Sequence, residues 1–379
     1  MLVPHMIFRA YVFRSMRVSH TWRSKGTQSS GKDSPLRRLL DDPSGFGETE
    51  PAQSKQQRST KSVGSTPQKT SVLLFPGQGT QSVGMGRNLL KLPAAKELYD
   101  LASKIVGWDV PKVCTQGPAA ELDARCQTAV VVTSLAALER AHKLRPAALQ
   151  HVRAVSGFSL GEFTALVFAG GLSFEGALKL LEFRNPAMNV IYEKRPGGML
   201  SMLLEPDADL KLAMQSAREH ATKRGIPDAV CQVAVYLPGR KVIAGDEEAL
   251  KFIEKNGSKF GIKRTVRLRV KGANHTPLLA AAETAMREVL HKVPVRAPRL
   301  RVVSSVDARA YDDADSVRQK LERHMTDPCV QDQAMHALYE RPRGEPFPLT
   351  LTFGPSAMMR NMLKHFDAKA WKNSLQIDA

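Results

Sequence analysis

The sequence predicts an α/β protein with a small βαββαβ unit inserted into a larger α/β region. Two observations predict this fold. Short apolar runs alternate with longer segments of helical periodicity along most of the chain, which is typical of α/β domains. Between residues 197 and 270 the strands and helices follow an order of their own, which matches a ferredoxin-like unit. With 379 residues and 42% hydrophobic content, the chain can bury a sizeable core.

The N-terminal region differs in composition from the rest of the chain. The first 32 residues are basic, contain serine and threonine, and include no Asp or Glu. This pattern predicts an organellar transit peptide. From there to about residue 70 the chain is rich in Ser, Gln, Lys and Pro, with too few large apolar residues to offset its ordering entropy. We therefore assign residues 1–70 to a transit peptide and a disordered linker outside the fold.

The first part of the large region, residues 71–196, begins with the strand Ser71–Phe75, which runs into a glycine-rich loop around Gln78. Backbone N–H groups in such a loop can point at a developing oxyanion. The loop has neither the P-loop spacing nor the dinucleotide-binding spacing, so its pattern does not indicate phosphate binding. Helical periodicity predicts the helices Ala94–Val106, Gln127–Lys143, Leu160–Phe168 and Ser173–Tyr192.

A strand, a tight turn and a helix surround Ser159. The apolar run 152–156 leads into Gly157-Phe-Ser-Leu-Gly161, and a helical segment follows. Larger side chains in place of the two glycines would collide with the strand and helix, so the pattern predicts a nucleophile elbow. The serine would then lie at the positive end of a helix. The pentapeptide alone also fits an ordinary turn, and its interpretation therefore depends on other segments.

The inserted unit occupies residues 197–270, and residues 271–379 return to the large region. Its predicted elements are strand Met199–Leu204, helix Asp207–Lys223, strands Val230–Tyr236 and Lys241–Ala244, helix Glu247–Asn256 and strand Ile262–Val270. Two further buried strands are predicted at Leu300–Val306 and Leu349–Phe353. His275 lies in a loop just before a helix, where a lone histidine is usually structural or solvated.

Taken together, these segments resemble the malonyl-CoA:acyl carrier protein transacylases of type II fatty acid synthesis, from about residue 71 to about residue 366. The resemblance is carried by Leu74-Phe-Pro-Gly-Gln-Gly-Thr-Gln81, Val83-Gly-Met-Gly86, Gly157-Phe-Ser-Leu-Gly-Glu162, Phe183-Arg184, Asn274-His-Thr-Pro277, Val302-Val-Ser-Ser-Val306 and Phe353-Gly-Pro355. Phe158 before the serine is similar to the animal mitochondrial form of the family. The resemblance implies an α/β-hydrolase-like large domain with an inserted ferredoxin-like subdomain, and an active site between them.

The resemblance also implies a mechanism. Ser159 would be the nucleophile and His275 its base, with the backbone amides of Gln78 and Leu160 as the oxyanion hole. The malonyl group of malonyl-CoA would pass through a malonyl-serine to the phosphopantetheine thiol of acyl carrier protein.

Two more site positions follow from the resemblance. Arg184 would bind the malonyl carboxylate, because a planar guanidinium matches a carboxylate with two hydrogen bonds. In this family a backbone carbonyl orients the histidine, and the matching segment assigns that carbonyl to Val330 or Gln331. Pro186 removes one helical hydrogen bond close to Arg184, which predicts a kink in that helix.

The chain is strongly basic, with a net charge of +18. Part of this charge is concentrated before His275, at Lys251, Lys255, Lys259, Lys263, Arg264, Arg267, Arg269 and Lys271. Such a run is usually a solvated face, and a basic domain can also bind nucleic acid. No nucleic-acid motif or aromatic platform accompanies it, so the charge favours an acidic carrier protein over RNA as partner.

Other classes of protein are excluded by composition. No stretch of eighteen apolar residues occurs without a charge, so we expect no membrane insertion. The four cysteines are scattered without a C-x-x-C pair, which argues against a zinc ribbon and a disulfide framework. We expect no metal or redox cofactor, and a monomer in the mitochondrial matrix. Two alternatives stay open: a serine hydrolase or acyltransferase of altered acyl specificity, and a weakly active basic protein that binds RNA.

Overall fold

The computed structural model describes residues 35–42 and 70–379. The predicted transit peptide and most of the predicted linker lie outside these residues.

A short helix, α1 (Pro35–Asp41), corrects the assignment of all of residues 1–70 to segments outside the fold. Leu36 and Leu40 are fully buried in the large core, and Leu39 packs against it. Arg37 forms an ion pair of 3.2 Å with Glu97. The three leucines share one helix face through their spacing of three and four residues. Seven residues do not stand out from the polar composition around them, which explains why composition alone misassigns this helix.

The described chain alternates helices and strands. The strands are β1 (Ser71–Phe75), β2 (Val152–Gly157), β3 (Gly197–Leu204), β4 (Cys231–Leu237), β5 (Arg240–Asp246), β6 (Ile262–Arg267), β7 (Arg301–Val303), β8 (Leu349–Gly354) and β9 (Ser374–Asp378). The helices after α1 are α2 (Pro93–Val106), α3 (Val110–Gln116), α4 (Ala119–Ala124), α5 (Cys126–Leu144), α6 (Pro146–Gln150), α7 (Gly161–Phe168), α8 (Phe174–Lys194), α9 (Leu210–Lys223), α10 (Glu247–Asn256), α11 (Ala280–Leu290), α12 (Ala314–Arg323), α13 (Gln331–Leu338), α14 (Met358–Phe366) and α15 (Ala368–Lys372).

A five-stranded parallel sheet forms the centre of the large region, with the strand order β7-β2-β1-β8-β9. Every residue of β1 is buried, because apolar clusters cover both faces of the sheet. In the register of β1 and β2, Phe75 lies opposite Gly157. The loops that follow these two strands therefore emerge side by side at the carboxyl edge of the sheet, where ligands bind in open α/β sheets.

The inserted unit forms a separate antiparallel sheet with the strand order β4-β5-β3-β6. Its sequence of elements is βαββαβ, as predicted. Helices α9 and α10 cover one face through a cluster that includes Leu200, Met202 and Ile253. The opposite face packs Met199, Val242 and other apolar side chains near the turn that carries Ser159.

Most predicted elements agree with the observed ones to within a few residues, and the largest differences occur where the chain turns. The predicted strand Leu300–Val306 is ordered as a strand only over β7, because Ser304 N–H donates to the carbonyl of Arg309 and reverses the chain. Helix α8 continues without interruption past Pro186, so the predicted kink does not end the helix that carries Arg184. Among the described helices, none combines the length and apolarity needed to cross a bilayer.

Candidate active site

The turn that carries Ser159 is as tight as its glycines suggest. Ser159 has a φ of 48°, in the left-handed region that non-glycine residues rarely adopt. A Cβ on Gly157 would lie 1.9 Å from the carbonyl carbon of Gly161, and one on Gly161 would lie 2.4 Å from the carbonyl oxygen of Phe75. Both glycines are therefore required by close backbone contacts. The turn places Ser159 two residues before the start of helix α7, as the nucleophile-elbow interpretation requires.

Ser159 and His275, which are far apart in sequence, meet in the structure. The Oγ of Ser159 lies 2.8 Å from Nε2 of His275. The other ring nitrogen, Nδ1, lies 3.0 Å from the backbone carbonyl oxygen of Asp327. Since a carbonyl only accepts hydrogen bonds, Nδ1 carries the proton and Nε2 is free to accept from the serine hydroxyl. The pair has the geometry of a nucleophile and its base.

The carbonyl contact corrects the assignment of the histidine-orienting group to Val330 or Gln331. The carbonyl of Val330 accepts instead from the N–H of Ala334 at the start of α13, and Gln331 is already in that helix. Both carbonyls are therefore directed along the helix. The N–H of His275 donates to the carbonyl of Met325, and this contact aligns the ring with Asp327, a few residues before the expected segment.

His275 is 5% exposed, and burial lowers its pKa to about 3. The neighbouring His324 lowers this pKa further, while the hydrogen bond to the Asp327 carbonyl opposes the shift. The ring is consequently neutral at neutral pH. A neutral imidazole can accept the serine proton, so the shift keeps the base in its active form.

A buried carboxylate, Glu162, lies behind the serine turn. It is fully buried in the first turn of α7 and accepts hydrogen bonds from Ser305 Oγ, from Tyr311 OH (2.6 Å) and from His324 Nε2 (3.1 Å). Burial raises the pKa of a carboxyl, but the contacts with His324, Ser305 and Tyr311 outweigh it and leave the pKa of Glu162 below its ordinary value. The carboxylate thus anchors three segments around the turn.

His324 connects this carboxylate to the serine and to Arg184. Its Nε2 lies 3.1 Å from Glu162 and 3.2 Å from the carbonyl oxygen of Ser159, and its Nδ1 lies 3.4 Å from a guanidinium nitrogen of Arg184. The tautomer with the proton on Nε2 satisfies all three contacts, because Nε2–H donates to the two oxygens and Nδ1 accepts from Arg184. One imidazole ring therefore separates Arg184 from the nucleophile's backbone.

Arg184 is only 3% exposed, and its guanidinium has neutral partners. Nη1 donates to Oε1 of Gln127 at 2.8 Å, and the ring of Phe163 lies 5.8 Å from the guanidinium carbon. Among the described residues, no carboxylate lies within ion-pair distance of it. Burial accordingly lowers its pKa to about 10, so that it stays charged at neutral pH. Such a buried cation can bind an anionic ligand.

Gln78 and Leu160 occupy matching places after adjacent parallel strands. Each lies three residues beyond the end of its strand, Gln78 after β1 and Leu160 after β2. Across the described residues, neither backbone N–H has a hydrogen-bond acceptor in the protein. The side chain of Gln78 accepts from Gln127 at 3.4 Å, which links this loop to Arg184. Amides left free in this way can donate to an oxyanion.

Sequence reasoning missed His324, Gln127 and Asp327 as members of the site. For Glu162 a signal did exist: it is a lone carboxylate in an otherwise apolar helix, and a buried charge requires partners. His324 and Gln127 lie on helices or turns with no local motif, so only the folded structure identifies them.

The fold and the hydrogen-bonded pair of Ser159 and His275 fit an enzyme that transfers acyl groups through a serine. A family model described as the acyl transferase domain matches residues 72–344. The human mitochondrial malonyl-CoA-acyl carrier protein transacylase is 40% identical over 343 residues, which cover 90% of this chain and 86% of that protein. The chain therefore belongs to the acyltransferase family of malonyl-CoA:acyl carrier protein transacylases.

Solved structures agree with this membership. The transacylase of Xanthomonas oryzae pv. oryzae superposes with a TM-score of 0.71 at 27% identity, covering 83% of this chain and 96% of that one. A malonyl-transacylase solved in complex with its type II polyketide acyl carrier protein has a TM-score of 0.69 at 25% identity, covering 81% and 94%.

Proposed function

We propose that this acyltransferase moves the malonyl group of malonyl-CoA to the phosphopantetheine thiol of an acyl carrier protein. Ser159 Oγ attacks the thioester carbonyl while His275 Nε2 takes the hydroxyl proton. The oxyanion is stabilised by the amides of Gln78 and Leu160, each contributing about 3–4 kcal/mol. Collapse of this intermediate breaks the carbon–sulfur bond, and His275 returns the proton to the leaving CoA thiolate.

The second half-reaction runs the same steps in reverse. The thiol of the carrier gives its proton to His275 and attacks the malonyl-serine ester. Collapse then releases Ser159 and leaves the malonyl group on the carrier as a thioester. Neither half-reaction transfers electrons, and the amides of Gln78 and Leu160 stabilise the oxyanion, so we propose that the enzyme acts without a metal or redox cofactor.

The environment of Arg184 is the observation that favours malonyl over acetyl as the transferred group. Its charged guanidinium is buried and lies one imidazole ring away from the Ser159 backbone, and within residues 35–42 and 70–379 its hydrogen-bond partners are neutral. The carboxylate of a malonyl group would complete this cation with charge-assisted hydrogen bonds, whereas an acetyl group would leave it unpaired. The names of the relatives support malonyl-CoA as donor and acyl carrier protein as acceptor.

We also propose that the enzyme is a monomer that acts in the mitochondrial matrix. The mitochondrial name of its human relative supports the organelle.

Intact-mass measurement tests the proposed function. The full chain is mixed briefly with malonyl-CoA or acetyl-CoA and then quenched with acid. We expect a malonyl adduct in excess over an acetyl adduct, no adduct on Ser159→Ala, and loss of the adduct when holo-acyl carrier protein is added. Ser82→Ala, which removes an exposed serine from the loop after β1, serves as the matched control and should acylate normally.

Each alternative has its own outcome. Loss of the adduct in buffer without any carrier would indicate a hydrolase. Acetyl loading equal to malonyl loading would indicate an acyltransferase of altered specificity. If the folded protein acquired no adduct from either donor, the transferase proposal would be wrong.

A further inference from the structure

His324 lies immediately after α12, in a turn that also holds the proposed base. The carbonyl of Met325 accepts from the N–H of His275 at 2.9 Å, and the carbonyl oxygen of Asp327 lies 3.0 Å from its Nδ1. Nε2 of His324 lies 3.2 Å from the carbonyl oxygen of Ser159. One short turn therefore contacts the base through its backbone and the serine turn through a side chain.

The imidazole of His324 is 1% exposed, and its contacts fix its orientation. Nε2 lies 3.1 Å from Oε2 of Glu162, and the ring packs edge-on against Phe163 with the centroids 5.7 Å apart. Glu162 and Phe163 belong to the first turn of α7, so the helix that follows the serine turn holds the ring. Because the carboxylate accepts the proton on Nε2, Nδ1 is left as an acceptor that faces Arg184.

Arg184 is held at both terminal nitrogens by neutral acceptors. Nη1 donates to Oε1 of Gln127 at 2.8 Å, and Nη2 lies 3.4 Å from Nδ1 of His324. Gln127 is on α5 and His324 follows α12, so two separate elements fix the plane of the guanidinium. Each terminal nitrogen still carries a second hydrogen for a ligand. Without His324 the guanidinium could turn about its contact with Gln127.

The neutral charge of this acceptor matters as much as its position. A carboxylate in place of His324 would orient Arg184, but it would also cancel the positive charge that a malonyl carboxylate needs. An apolar side chain would leave the charge and lose the orientation. An imidazole with its proton on Nε2 orients the guanidinium and leaves it charged.

We propose that His324 is a positioning residue that sets the preference for malonyl by orienting Arg184. This inference rests on the proposed function and deepens it, because it names the residue that joins the malonyl-binding cation to the serine turn. The two ring nitrogens have different effects. The contact of Nδ1 with Arg184 acts only on acyl groups that carry a carboxylate, whereas the contact of Nε2 with the Ser159 carbonyl acts on every acyl group.

The test measures kcat/KM for loading of the full chain by malonyl-CoA and by acetyl-CoA, using quenched intact mass. His324→Met removes both polar contacts and keeps a large side chain. His324→Gln is the conservative variant, because its amide donates from nitrogen and accepts at oxygen, as the neutral imidazole does. Both variants are also made together with Arg184→Met. The matched control is His220→Met on α9, a half-buried histidine that packs on Phe252 outside the site.

We expect His324→Met to lower kcat/KM for malonyl-CoA by about tenfold or more, because a hydrogen bond to a charged group is lost. Loading by acetyl-CoA should fall by about threefold or less, because it loses only the contact with the Ser159 carbonyl. His324→Gln should restore malonyl loading to within about threefold of the wild type. With Arg184→Met present, His324→Met should lower loading by both donors equally. The control should load like the wild type.

A measurement on the wild type needs no substitution to fold. In the ¹⁵N spectrum of the histidine-labelled enzyme, His324 should carry one proton, on Nε2, and the signal missing from His324→Gln identifies it. A proton on Nδ1 would overturn the proposal, because that nitrogen could not then accept from Arg184.

The kinetic results can overturn the proposal in three further ways. Equal falls for the two donors in His324→Met would mean that His324 only supports the serine turn. A selective fall in malonyl loading that persists with Arg184→Met would mean that His324 does not act through Arg184. Failure of a normally stable His324→Gln to restore malonyl loading would mean that its hydrogen bonds are not what matters. Failure of the wild type to load malonyl would instead refute the proposed function.

Discussion

Replacing Arg184 with methionine should separate malonyl recognition from folding. If the guanidinium binds the malonyl carboxylate, its loss removes one partner of a buried charge pair, which costs about 2–5 kcal/mol. This corresponds to about a 30-fold to several-thousand-fold fall in kcat/KM for loading by malonyl-CoA. Loading by acetyl-CoA should change by only a few-fold, because the acetyl group has no carboxylate.

The stability of the same variant should not fall. The pKa of Arg184 is lowered from 12.5 to about 10, so the charged form in the fold is disfavoured by about 3 kcal/mol. Methionine removes this cost. It also leaves Gln127 and His324 without a donor, at about 1 kcal/mol each, so the free energy of unfolding should rise by about 1 kcal/mol.

Quenched intact mass with both donors and urea denaturation measure these quantities. Arg184→Lys is the control, since it keeps the charge but loses the planar pair of donors, and it should be intermediate in malonyl loading. Equal losses with malonyl-CoA and acetyl-CoA, or destabilisation by more than about 2 kcal/mol, would refute the reasoning, because Arg184 would then be structural.

Three further outcomes follow from the site. His275 has a folded pKa of about 3, below the unfolded value of about 6.5, so its stabilising contribution is present above pH 6.5 and is lost as the pH falls. Between pH 7.5 and pH 5 the wild type should lose about 2 kcal/mol more than His275→Gln in urea denaturation. Glu162→Gln should lower the free energy of unfolding by about 2–4 kcal/mol, because it disturbs three hydrogen bonds. Tyr311→Phe removes one of these hydrogen bonds and should lower it by about 1–2 kcal/mol. Gly161→Ala should destabilise by more than about 3 kcal/mol through its contact with the backbone at residue 75, whereas Gly239→Ala, with φ of 68° and open space, should cost about 1 kcal/mol.

Each of these outcomes has a result that would contradict it. Identical pH dependence of the wild type and His275→Gln would mean that His275 is not the group that titrates. A Glu162→Gln variant as stable as the wild type would mean that an amide satisfies the same donors. If Gly161→Ala and Gly239→Ala were equally stable, the backbone contacts at the serine turn would not require glycine.

The parts of this protein that the sequence predicts are those encoded locally. Gly157 and Gly161 indicate the serine turn because a sharp strand-to-helix turn needs glycine at those two places, within five residues of chain. The βαββαβ order of residues 197–270 is visible for the same reason, since each element has its own periodicity. Composition misassigns helix α1 because its three leucines stabilise a helix only when α2 and α5 provide an apolar surface that buries them.

The tertiary structure decided which distant groups meet. The carbonyl that orients His275 belongs to Asp327, because the hydrogen bond between His275 and Met325 sets the register of two segments that no local pattern relates. His324 joins Glu162 to Arg184 across more than a hundred residues of chain. Likewise, only the strand pairing places Arg264 and Arg267 on opposite faces of the small sheet. Local turn chemistry depends on neighbours in sequence, whereas burial, charge pairing and proton position depend on neighbours in space.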